Sequence, residues 1–95
     1  MTFDKVLAIF AEHLKNDDNV EVVKVKKGYL HLYWDKVRQD YDALLLTTLE
    51  ELFKVLLDDV AGYYKFESEI TFSSDEERES FVKNLQEKLC EQLKD

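Results

Sequence analysis

Two histidines, one cysteine and a few paired carboxylates are the side chains of this chain whose types could carry chemistry. His13 falls beside the polar side of an apolar helical repeat, where a surface imidazole is expected. His31 sits in a run of alternating aromatic and aliphatic residues and could bind a ligand or respond to pH. Cys90 neighbours Leu89 on a helical pattern and reads as a partly buried, inert thiol; nothing local joins it to His31 as a nucleophile and base. Asp17-Asp18 lacks calcium-loop spacing and reads as a turn. Asp58-Asp59 is placed near the end of an apolar helix, where negative charge opposes the helix dipole by roughly 0.3–1 kcal/mol per exposed group, and that choice invites a reason. The chain has no phosphate-binding glycine loop, paired-cysteine metal site, serine elbow or two-histidine helix motif. The expectation is a non-enzymatic chain with no catalytic residue, no metal and no cofactor.

Charge is divided unevenly. The formal net charge is −8. Residues 1–40 hold seven acids and seven bases, whereas residues 41–95 hold fourteen acids and six bases. Phosphate neutralisation needs clustered Lys and Arg, so direct nucleic-acid binding is not expected. A basic protein partner suits such a surface better, and Asp58, Asp59, Asp75, Glu76, Glu77 and Glu79 are its candidate contacts. A solubilising role accounts for the same acidity more simply.

The elements that hold these residues can be read in order. Thr2 is an N-cap for a first helix carrying Phe3, Val6, Leu7, Phe10, Ala11 and Leu14 on one face. Asn16 to Asn19 interrupt it, and a β-branched run follows. Residues 20–26 and 29–34 flank Lys27-Gly28, which predicts a hairpin pairing Val25 with Leu30 and Val23 with Leu32. In that register Val23, Val25, Leu30, Leu32 and Trp34 face the core. The opposite face presents Lys24, Lys26, Tyr29, His31 and Tyr33, a basic and aromatic array that could bind a planar anion or pair across a two-fold axis. Residues 41–46 read as a third strand, with a helix from near Asp42 as the alternative. Thr47 or Thr48 caps a second helix with a stripe of Leu49, Leu52, Phe53, Leu56 and Val60, ended by Gly62. Residues 63–72 alternate as a fourth strand, with Tyr64, Phe66, Ile70 and Phe72 on one side. Ser74 with Glu77 opens a last helix anchored by Phe81, Val82, Leu85 and Leu89.

The order α-β-β-β-α-β-α predicts one small α+β domain over residues 1–95, a mainly antiparallel sheet of about four strands with helices on one face. Ninety-five residues suffice for one core. No apolar run reaches the length of a membrane span, and Asp4 and Glu12 break the pattern of a secretion signal. A lone cysteine points to a reducing, cytoplasmic setting. The first five elements share their order with the double-stranded-RNA-binding domain, yet Thr47-Thr48-Leu49-Glu50-Glu51 stands where that family needs a basic helix entrance. In size and acidity the chain resembles small acidic inhibitors of phages and mobile elements, including anti-CRISPR proteins, and toxin-neutralising immunity proteins. That resemblance implies a nucleic-acid mimic that masks the basic channel of a nucleic-acid-binding enzyme. A ligand-binding or homodimerising sheet face is the alternative expectation.

Overall fold

The computed structural model describes residues 1–94. Thr2 caps the first helix by accepting the Lys5 N–H. The helix breaks at Phe10, whose φ of −96° and ψ of 12° are not helical, and divides into α1 (Phe3–Ile9) and α2 (Ala11–Asn16). Asp17 turns the chain, its side chain accepting from the Asn19 N–H, as the Asx-type turn reading expects. Three antiparallel strands follow: β1 (Val20–Val25), β2 (Gly28–Asp35) and β3 (Asp40–Leu46), in spatial order β1-β2-β3. Residues 41–46 are therefore strand, not the start of a helix. Thr48 caps α3 (Leu49–Gly62) through the Glu51 N–H, and Ser74 caps α4 (Asp75–Glu91) through the Glu77 N–H.

The fourth strand is replaced by helix. Gly62 does not end α3, because its φ of −63° and ψ of −39° are helical. The chain continues into one π-helical turn, Tyr63–Glu67, closed by the Ser68 N–H donating to the Tyr63 carbonyl. Alternation over residues 63–72 is present in the sequence but serves no sheet. Tyr64 and Phe72 pack on Phe81 of α4, while Phe66 and Ile70 lie exposed. The fold is thus α+β with a three-stranded antiparallel sheet and four α-helices.

The hairpin register and the buried face also differ from expectation. Val25 pairs with Gly28, Val23 with Leu30 and Val22 with His31, two residues from the predicted partners. The turn is Lys26-Lys27, made without positive φ at either residue. Gly28 instead admits the neighbouring strand: a Cβ there would lie 2.3 Å from the Leu46 carbonyl oxygen. A two-residue shift leaves each side chain on its face, but the helices cover the face read as wet. Val20, Val22, Tyr29 and Leu46 join Phe10, Leu52, Phe53, Leu56 and Val60 in the core. Specific partners make this burial possible. Phe3 stacks on Tyr29 at 5.1 Å, and Asp59 of α3 takes the His31 imidazole at 2.6 Å, so the buried imidazole of that face has a polar partner inside. α3 lies at the centre, touching β2, β3, α1 and α4.

Candidate functional site

The other face of the sheet has no such cover. Alternation from the observed register places Val23 and Val25 of β1, Leu30, Leu32 and Trp34 of β2, and Tyr41, Ala43 and Leu45 of β3 together on it. Leu30 pairs with Leu45, Leu32 with Ala43 and Trp34 with Tyr41, whose rings meet edge to face at 4.9 Å. None of these side chains belongs to the helix-covered core. Val23 is 43% exposed, Tyr41 44% and Leu45 47%. The face holds one charged group: the Glu21 carboxylate accepts from the Tyr41 hydroxyl at 3.2 Å and pushes the phenol pKa up. The sequence identified the β1 and β2 members of this set, Val23, Val25, Leu30, Leu32 and Trp34, as the apolar face; its mistake was to turn them inward.

Of the basic and aromatic array, Tyr29 and His31 point toward the helices, and only Lys24, Lys26 and Tyr33 are exposed. This corrects their reading as one open surface. His31 is engaged with Asp59 instead of Cys90, and Cys90 is exposed rather than partly buried. His13 also departs from its surface assignment, with a side chain only 8% exposed beneath the edge of the Tyr63 ring. Its Nε2 lies 3.5 Å from Asp17 and has no hydrogen-bond partner among the described residues. Burial lowers the His13 pKa against the opposing pull of Asp17 and Asp59, and burial raises that of Asp17. The π-helical turn that covers His13 gave no local signal in the sequence.

The acidic candidates separate. Asp59 is held by His31 on the inner side of α3, so it is a structural residue. Asp58 is exposed. Asp75 pairs with Arg78, and Glu77 accepts from the N–H of Ser73, the residue before the cap. Glu76 and Glu79 remain exposed on the first turns of α4.

Concavities are shallow. One, of about 610 Å³, is lined by carboxylates including Glu12, Asp17, Asp18, Glu67 and Glu69. A second of about 370 Å³ lies between α1, α2 and α4, lined by Ile9, His13, Tyr64, Leu85 and Leu89. Among the described residues no group of three or more His, Cys, Asp or Glu could hold a metal ion, and no helix is long and apolar enough to cross a membrane. Comparison with models of protein families, with curated proteins and with solved structures finds no match to this chain.

Proposed function

We propose that this chain is a non-enzymatic protein-interaction module that docks through the open face of its sheet. The observation that carries the reading is the contiguous set of eight apolar or aromatic side chains on that face, three of them nearly half exposed. Contiguous exposed apolar surface of this kind marks interaction sites, whereas scattered exposed leucines do not. A reducing compartment such as the cytoplasm suits the exposed Cys90 thiol.

A second reading keeps the acidic helix surface as the contact for a basic partner, in the manner of a nucleic-acid mimic. It is favoured by the segregation of charge: residues 20–46, the sheet, hold five bases and four acids, so the acid excess belongs to the helices. Substitution separates the two. Leu45→Lys and Val23→Lys should change unfolding free energy by no more than about 1 kcal/mol, since both sites are nearly half exposed. Proteins retained by the tethered wild-type chain should be lost with either variant and kept by Glu76→Lys/Glu79→Lys. The opposite pattern would transfer the function to the acidic helices.

A further inference from the structure

We infer that the helical side carries a binding site for a small organic amine with an apolar body, held where an acidic cavity meets an apolar one. The site shares no residue with the open sheet face and goes beyond the docking-face reading. Three observations select that ligand.

The first is how the two cavities are joined. Glu12, Asn16, Tyr63 and Tyr64 line both the concavity of about 610 Å³ and that of about 370 Å³, so the two share a border. Local structure makes that border. Glu12 and Asn16 stand four residues apart on α2, and so on one side of it. Tyr63 and Tyr64 open the π-helical turn, and their rings meet edge to face at 5.2 Å. A single π-helical turn is rare and is frequently found at functional sites. Volumes of roughly 300–1,000 Å³ are those of small-molecule sites.

The second is the division of chemistry across the border. On one side lie the carboxylates of Asp17, Asp18, Glu67 and Glu69, faced by one cation, Lys36, which Glu67 holds at 3.3 Å. On the other side Ile9, Val60, Phe81, Leu85 and Leu89 form apolar walls, with the exposed Lys88 beside them. The last three apolar residues recur every four positions along α4 and so form one stripe. Among the described residues no group of three or more His, Cys, Asp or Glu could hold a metal ion. Carboxylates placed in this way suit an ammonium group, fixed by charge-assisted hydrogen bonds while its apolar body occupies the neighbouring cavity.

The third is an unsatisfied group buried where the cavities meet. The His13 ring lines the apolar cavity with its side chain only 8% exposed, and its Nε2 has no hydrogen-bond partner among the described residues. Asp17, whose carboxylate is 3.5 Å from that nitrogen, is 4% exposed and lines the acidic cavity. One Asp17 oxygen accepts from the Asn19 N–H; the other faces His13 without a hydrogen bond. Burial lowers the His13 pKa, so at pH 7 the imidazole is neutral and leaves the Asp17 carboxylate uncompensated. A buried charge without a partner is costly, and a ligand ammonium supplies the partner. The two tyrosine rings at the border favour the same cation.

Calorimetric titration of the full chain at about 150 mM salt, where diffuse attraction is screened, tests this with three probes. Tryptamine joins an ammonium to an apolar ring, indoleacetate keeps the ring and reverses the charge, and ethanolamine keeps the ammonium alone. Tryptamine should bind one to one with a dissociation constant of about 0.1–1 mM, as suits a small ligand in a shallow cleft, and each of the others at least about tenfold more weakly. Asp18→Lys/Glu69→Lys, at two exposed positions of the acidic cavity, should weaken tryptamine at least about tenfold. Glu76→Lys/Glu79→Lys makes the same change of charge outside both cavities and should alter it by less than about threefold. Lys88→Gln removes the cation beside the apolar walls and should tighten binding about two- to threefold. Absence of saturation by about 10 mM tryptamine overturns the inference. So does equal binding of indoleacetate or of ethanolamine, which would remove one half of the site. An equal loss in Glu76→Lys/Glu79→Lys would assign the attraction to the net charge of the chain and overturn the site. Amide NMR shifts centred on Trp34 instead of Tyr63 and Tyr64 would overturn its position.

Discussion

Burial disfavours the charged form of an imidazole, and at His13 that effect outweighs the attraction of Asp17 and Asp59, leaving its pKa below the ordinary 6.5. The sign of the consequence follows. Between the lowered folded value and 6.5 the unfolded chain binds more protons than the folded one, so stability rises with pH across that window. The contribution is complete above 6.5 and is lost as pH falls below it. Asp17 acts oppositely: its carboxyl is raised above 3.8, so the folded state binds the extra proton just above that value, and this contribution fades as pH rises. His13→Phe keeps a ring against Tyr63 and removes the titrating group. Urea unfolding between about pH 5 and 7 should show a smaller loss of stability on acidification in His13→Phe than in the parent; an equal slope would assign the effect to another group. The sequence placed His13 on the surface because its helix was read as continuous. The break at Phe10 and the turn at Tyr63 that cover it depend on packing between segments fifty residues apart, which helical spacing does not report.

Two glycines test the element boundaries. A helix-terminating glycine uses left-handed backbone, and alanine there is costly. Gly62 is right-handed helical, and a Cβ added to it meets nothing within 4 Å. Gly62→Ala should therefore raise unfolding free energy by about 0.4–1 kcal/mol, chiefly by restricting the unfolded chain. Gly28→Ala should lower it by more than about 1 kcal/mol, because φ is +148° and the Leu46 carbonyl blocks the site. Denaturant midpoints of the two variants should move in opposite directions; a loss of stability in Gly62→Ala would restore the helix stop. Helix starts were legible because Thr2, Thr48 and Ser74 act on N–H groups three residues away. The α3 stripe was legible for the same local reason, with Leu52, Phe53, Leu56 and Val60 all buried. Which sheet face those helices cover was not legible. Both faces hold apolar residues, and the choice turned on Phe3 meeting Tyr29 and Asp59 meeting His31.

Across the whole molecule, the charge that leaves the sheet nearly neutral makes the helical side self-repelling. Residues 41–95 carry fourteen acids against six bases. The attractive pairs that oppose this are mostly exposed: Lys36 with Glu67, Arg38 with Asp35 and Asp42, and Arg78 with Asp75. Exposed pairs of this type contribute about 0–1 kcal/mol each and are themselves screened by salt. Repulsion among many uncompensated carboxylates is the larger sum and acts over longer distances, so it loses more when the Debye length contracts from about 30 Å at 0.01 M to about 8 Å at 0.15 M. The folded monomer should accordingly gain stability over that range, by about 1 kcal/mol or several degrees in Tm for a chain of this size. The measurement belongs at concentrations low enough to keep the chain monomeric, so that association does not contribute. Glu87→Lys/Glu91→Lys changes two exposed sites in the C-terminal half of α4, where lysine also suits the helix dipole. It removes four units from the net charge, and its unfolding midpoint should start higher and respond less to NaCl. A midpoint that falls as NaCl is added would mean that the exposed pairs outweigh the repulsion, and that the acidic helical side is better compensated than its count of charges implies.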